Sequence, residues 1–189
     1  MAKFKACCFT GHRPEKMNFS LEQPNPKKYA LEERLSAAIS GMAAKGAKVF
    51  YCGCARGFDL VAADLVLKYK KTDPEVKLVC VMPFGEMKNN LKGYWRKLFE
   101  SVLSGCDEKV VVSESYTPWC YDERNRYMVD NSDAVITYWD GGKGGTENTI
   151  RYAKRKHVPI INISKGYGEL PDESDLAENY TAEQLPFCE

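Results

Sequence analysis

Apolar positions along the chain recur in two alternating periods. Lys5 to Thr10 is a compact strand-like run that ends at Gly11-His12-Arg13-Pro14, where glycine and proline enforce a turn. From Asn25-Pro26 to Lys45, Leu31, Leu35, Ile39 and Met42 repeat at helical spacing, with Pro26 in the first turn and Gly46 past the end. Lys48 to Cys52 predicts a buried strand that leads through Gly53-Cys54-Ala55-Arg56-Gly57 into a helical stripe of Phe58, Val61, Leu65 and Tyr69. Val76 to Met82 predicts a third strand, broken by Pro83. A loop from Gly85 to Asn90 then precedes a helix marked by Leu91, Tyr94, Leu98 and Val102. A short strand at Lys109 to Val112, a helix at about Tyr121 to Asn131, a strand from Ala134 to Trp139, a helix from Asn148 to Lys156 and a strand from Val158 to Ile163 complete the series.

Strands that alternate with helices pair in parallel through right-handed crossovers. The predicted class is therefore α/β, a Rossmann-like three-layer fold with a mainly parallel sheet. In such a fold, loops at the carboxyl ends of the strands gather where the strand order reverses, so the glycine-containing loops are expected to share one edge. Residues 1–164 form the expected single domain. Residues 165–189, rich in acid, glycine and proline, are expected to be a loosely packed tail.

Composition narrows the class. The 189 residues, 44% hydrophobic and 28% charged, suffice for one well-buried domain but are tight for two. No apolar run reaches the roughly 18 residues of a membrane span, and the N-terminus shows no signal-peptide pattern, which predicts a cytoplasmic protein without membrane partners. Eight cysteines without a Cys-x-x-Cys pair, and only two histidines, argue against a metal site. Cys7, Cys8, Cys52 and Cys80 lie inside strand candidates and read as reduced thiols. The net charge of +1 hides an asymmetry: residues 165–189 hold seven acids and one lysine, which leaves the first 164 residues at +7. A moderately basic body suits an anionic ligand.

The stretch Asp140 to Thr149 concentrates the candidate chemistry, because four glycines in five positions join a strand to a helix. Such a loop brings unpaired amides and the positive end of a helix dipole to a phosphate. Gly142, Gly144, Gly145 and Thr146 are the candidate amide donors, and Lys143 is a cation over the same loop. A flexible turn with a solvated lysine is the alternative. Gly11 and Gly53 occupy equivalent loops after other strands. There, Arg13 and Arg56 are candidate phosphate partners, and surface ion pairs, for Arg56 with Asp59, are the structural alternative. Asp59 reads as a helix cap or a ribose ligand. His12 reads as a ligand-orienting group or a turn cap, and Asn148 as a ribose ligand. Trp95, Trp119 and Trp139 read as core or interface, Trp119 least so because Pro118 places it in a loop.

These residues resemble a known family over nearly all of the expected domain. Phe9-Thr10-Gly11-His12-Arg13-Pro14, Met82-Pro83-Phe84, Arg124 to Asp130 and Gly141 to Thr149 are similar to the signatures of the YpsA-like branch of the SLOG superfamily. Gly53-Cys54-Ala55-Arg56-Gly57-Phe58-Asp59 resembles a segment of the DNA-processing SMF/DprA proteins, another branch. The resemblance implies a Rossmann-like fold that binds nucleotides or nucleotide-derived signals, and dimerisation is expected on this ground alone. The superfamily also contains LOG phosphoribohydrolases, which cleave the base from nucleoside 5′-monophosphates. Arg124 matches the arginine of their helix motif, but Asn125 replaces its lysine. Alignment on Gly145-Thr146 puts Thr149 at the position of their catalytic glutamate. Thr149 supplies no carboxylate, and Glu147 lies two helical positions, about 200°, away.

The expected function is recognition of a nucleotide or an ADP-ribose- or NAD-derived molecule at the glycine-rich edge, as a sensor or regulator. The runner-up is nucleoside monophosphate hydrolysis with Arg124 and a rearranged acid, Glu86 or Glu147. The third reading is single-stranded DNA binding, which the absence of a dense basic run disfavours. The sequence implies no cofactor beyond such a ligand.

Overall fold

The computed structural model describes residues 4–85 and 91–171. The chain alternates strand and helix: β1 (Ala6–Gly11), α1 (Pro26–Ala44), β2 (Val49–Cys52), α2 (Phe58–Lys70), β3 (Lys77–Phe84), α3 (Gly93–Gly105), β4 (Glu108–Ser113), α4 (Cys120–Asp130), β5 (Ala134–Tyr138), α5 (Gly145–Arg155) and β6 (Ile160–Asn162). The six strands form one parallel sheet in the order β4-β3-β2-β1-β5-β6. The α/β Rossmann-like class read from the sequence is what the structure shows. The order reverses between β1 and β5, in register at Thr10 with Thr137 and Gly11 with Tyr138, so a crevice opens beyond those two strand ends.

The inner strands look almost uniformly apolar because both faces of the sheet are covered there, whereas the edge strand β4 is partly exposed. Beneath that uniformity the pleat sorts them by alternate residue. Cys7, Phe9, Phe50, Leu78, Cys80 and Ile136 enter the core under α1, α2 and α3, whereas Cys8, Val79, Val81 and Val135 pack with Met128, Val129 and Ala153 of α4 and α5. Phe9 stacks on Phe50 and meets Phe58 edge-on, which ties the start of α2 to the two central strands. Among the described residues, no helix is long and apolar enough to cross a membrane.

One expectation changes. β3 is not broken at Pro83 but runs to Phe84, which pairs with Ser113. β2 has ended by then, at Cys52 opposite Cys80, so the missing proline N–H falls where β3 pairs on one side only. Within residues 165–171, Leu170 sits on the core over Gly41 and Pro171 is buried, Lys165, Tyr167 and Glu169 are exposed, and the Tyr167 hydroxyl donates to Glu33 of α1. The remaining residues of the acidic tail lie outside the described ones, as does Glu86.

Candidate functional site

α2, α4 and α5 all start at the carboxyl edge of the sheet, and none has a side-chain cap at its N-terminus. First-turn amides have no partner inside a helix, so uncapped starts concentrate donors and positive potential at that edge. α5 begins at Gly145, which places Gly145 and Thr146 inside its first turn rather than in the loop before it. Gly144 is the N-cap at φ +140°, where a side chain is strained and an added Cβ would lie 2.7 Å from Lys16 Nζ. Lys16 Nζ donates to the Lys143 carbonyl across that gap.

A cavity of about 200 Å³ lies at the switch point, walled by Thr10 and Gly11 of β1 with His12 and Arg13 after it, by Asp59 of α2, by Tyr121, Arg124 and Asn125 of α4, and by Gly145 and Thr146. Lys16 and Ala55 complete its rim. Arg124, only 4% exposed, is fixed at the wall: Nη1 donates to the Gly53 carbonyl, Nε to Asn125 Oδ1 at 2.8 Å, and the guanidinium lies over the Tyr121 ring. Gly53 makes this approach feasible, because a Cβ there would collide with the guanidinium and come within 2.9 Å of Asp59 Oδ2. Burial pushes the Asp59 carboxyl up to about 6, against the lowering effects of Arg124, Arg13 and the Ala55 amide. A buried carboxylate flanked by two arginines is thus poised near neutrality inside the cavity.

His12 is 2% exposed and holds Asp140 Oδ1 at 2.7 Å, an oxygen that also accepts from the Gly142 amide. This hydrogen-bonding holds the Asp140 carboxyl below its usual range. Trp139 Nε1 donates to the Gly142 carbonyl at 2.8 Å. His12 therefore joins the β1 loop to the glycine loop while its ring forms part of the cavity wall. Asp140, Lys16 and Tyr121 were not among the sequence candidates, and Asn125 entered only as the residue in place of the LOG lysine. The position of Asp140 directly before the glycines was the one available signal, since an Asx residue often caps such a turn.

The structure brings together Gly11, His12, Arg13, Asp59, Arg124, Gly145 and Thr146, with Gly53 beneath them. It does not bring in the others. Arg56 is drawn to Glu15 rather than to Asp59. Lys143 is exposed and offers its carbonyl, not its ammonium, to the site. Gly142 serves the Asp140 turn. Asn148 is exposed on the outer side of α5 and lines a different groove, and Glu147 is absent from the cavity wall. Thr149 is 2% exposed, and its hydroxyl donates to the Gly145 carbonyl at 2.9 Å, so it is occupied within its own helix.

None of the described cysteines lines the cavity. The seven cysteines among the described residues are free and six are buried. Burial pushes the Cys8 thiol up to about 12, the direction of an inert thiol. Among the described residues, no group of side chains is arranged to hold a metal ion.

Residues 7–164 match the model of the YspA SLOG family. The chain is 30% identical over 147 residues to the SPbeta prophage-derived protein YoqJ of Bacillus subtilis (strain 168), covering 71% of this chain and 86% of that one. It is 25% identical over 179 residues to a UPF0398 protein of Bacillus thuringiensis (strain Al Hakam), covering 92% and 95%. Among solved structures it resembles DNA processing protein A of Streptococcus pneumoniae, with a TM-score of 0.55, 15% identity and coverage of 93% of this chain and 54% of that one. The same protein from Helicobacter pylori, solved for its single-stranded DNA binding mode, matches with a TM-score of 0.54, 19% identity and coverage of 84% and 64%. The chain thus spans less than two thirds of either DNA processing protein, and at these identities the likeness is one of fold.

Proposed function

The chain belongs to the YspA SLOG family, and on that premise we propose that it binds a nucleotide or an ADP-ribose- or NAD-derived molecule by its phosphate, as a sensor or regulator. One observation carries this reading: the uncapped start of α5 opens, through Gly145 and Thr146, onto a cavity that also holds Arg13, Lys16 and the prefixed Arg124. Helix amides and dipole favour an anion there, and a guanidinium already anchored to Gly53 and Asn125 loses little freedom when the anion arrives. Asp59 is then the ribose partner, since a carboxylate accepts from a hydroxyl pair but repels phosphate.

Thermal unfolding with millimolar AMP, ADP-ribose and NAD tests the proposal. A ligand at about 100 times its Kd adds roughly 2.7 kcal/mol of stability, which displaces the midpoint by several degrees. A flat response across the panel refutes it. Short single-stranded DNA in the same assay addresses the reading suggested by the shared fold. Sub-micromolar binding that collapses as salt rises would favour a nucleic-acid surface.

A second reading, cleavage of the N-glycosidic bond of a nucleoside 5′-monophosphate, rests on Asp59. It is a buried carboxylate in the cavity, with its pKa raised toward the range suited to proton transfer. Thr149, committed to its own helix, offers no such group.

A further inference from the structure

α4 and α5 turn one face each toward the cavity and sheet and leave the opposite faces to form a second groove. On α4, Trp119, just before the helix, lies in one stripe with Asp122 and Arg126; on α5, Asn148, Arg151, Tyr152 and Arg155 form the facing stripe. The space between is about 440 Å³. Arg126 and Arg155 lie over the Tyr152 ring at 5.3 and 5.5 Å, and the Tyr152 hydroxyl donates to Asp130 at 2.9 Å, which fixes that ring as the floor. Trp119 is different. It is 71% exposed at the end of the groove nearest the carboxyl edge of the sheet.

Three arginines against one carboxylate, Asp122, make the lining cationic, and Asp122 is already paired with Arg126 at 2.8 Å. An exposed indole in a groove that also carries guanidinium groups is the combination that takes a nucleobase on its face and the attached phosphate on the cations. The groove and the first site are built on the same two helices: Tyr121 and Arg124 follow Trp119 along α4, and Gly145 and Thr146 precede Asn148 along α5. A second copy of the chain fits the groove poorly, because a twofold contact would set like charges against each other.

We propose that the α4–α5 groove is a second subsite for a base-bearing phosphate unit, so that the ligand carries at least two nucleotide units. This rests on the first unit's phosphate occupying the switch-point cavity. The shared chemistry has two sources, the far half of a pyrophosphate-linked dinucleotide or the next nucleotide of a short single strand.

Titration calorimetry on the full chain decides, with ribose 5-phosphate as a base-free probe, NAD as the pyrophosphate-linked one and the dinucleotide pdApdA as the single-strand one. At least one two-base ligand is expected to bind more tightly than ribose 5-phosphate, and the one that gains identifies the source. Trp119→Ala is expected to weaken that ligand about tenfold or more, to leave ribose 5-phosphate unchanged, and to be rescued by Trp119→Phe. The indole is solvent-facing, so these variants fold. The proposal is overturned if both two-base ligands bind no better than ribose 5-phosphate, if Trp119→Ala leaves their affinity unchanged, or if the variant alters only self-association. If ribose 5-phosphate fails to bind while a two-base ligand shows the Trp119 dependence, the switch-point reading falls and the groove stands. If nothing binds, both fall.

Discussion

Gly145→Val separates the phosphate site from the fold, and the structure sets both magnitudes. Gly145 is the first residue of α5, it is exposed, its φ lies outside the left-handed region, and an added Cβ meets no heavy atom within 4 Å. A valine there enters no packed core. Its effect on folding should stay within about 0.5 kcal/mol, or roughly 2 °C in Tm for a domain of this size. The open volume it fills is the cavity itself. Displacing a phosphate oxygen from one amide removes a charge-assisted hydrogen bond of about 1.5–3 kcal/mol, equivalent to roughly a 10- to 150-fold loss of affinity, and losing two takes binding beyond detection. Circular dichroism should therefore show a native melt while titration with the best nucleotide of the panel shows no heat. Gly144→Val is the contrasting control: at φ +140° and 2.7 Å from Lys16 Nζ, it should lose stability by about 1–3 kcal/mol as well as binding. A Gly145→Val protein that melts normally and binds with unchanged affinity would refute the assignment of the α5 start as the phosphate site.

The Asp59 carboxyl sits at about 6 in the fold against 3.8 as its reference. The folded state therefore holds the proton better, and stability is present in full below about pH 4 and lost as pH rises through 6, by up to about 3 kcal/mol. Asp59→Asn lacks this term, so its stability relative to wild type should improve by that amount between pH 4 and 7 in urea unfolding; parallel pH profiles would show that Asp59 is not desolvated. Gly53→Ala should displace Arg124 from the Gly53 carbonyl, cost about 1–3 kcal/mol, and move the Asp59 titration further up. A carboxyl signal that titrates unchanged by NMR would refute that coupling. Incubation with nucleoside 5′-monophosphates should release little free base, because Thr149 is bound to Gly145. Enzyme-dependent release that disappears in Asp59→Asn would instead establish the hydrolytic reading.

Much of the sheet was legible because its causes are local. β1, β2 and β3 are short apolar runs with a glycine at or just past their ends, and the helices carry apolar stripes. Alternation of the two dictates parallel crossovers, and from these the carboxyl edge follows. Pro83 misled because a proline breaks a strand only where its N–H is needed. Whether β2 still runs beside β3 at that point depends on the length of another strand. The candidate arginines show the same limit. Arg13 and Arg56 follow equivalent strands in equivalent loops, yet Arg56 is taken by Glu15, 41 residues earlier in the chain, while Arg13 remains on the cavity wall. No local pattern separates them.

Asn148 is a different case, since the periodicity that put Ile150 and Ala153 inside also puts residues 148, 151 and 155 outside. The structure accordingly buries Ile150 and Ala153 and leaves Asn148 in the outer groove with Arg151 and Arg155. Reading that stripe as a unit, rather than assigning Asn148 to the loop's ligand, exposes the logic of the α4–α5 pair. α5 supplies amides at its start and guanidinium groups, Arg151 and Arg155, along its outer side, and the neighbouring helix supplies Arg124 inside and Trp119 outside. Both surfaces thus depend on the same two helices. On the proposed two-subsite reading, a ligand that spans them would touch both faces of the α4–α5 pair and a mononucleotide only the inner one, so affinity should rise with the length of the ligand.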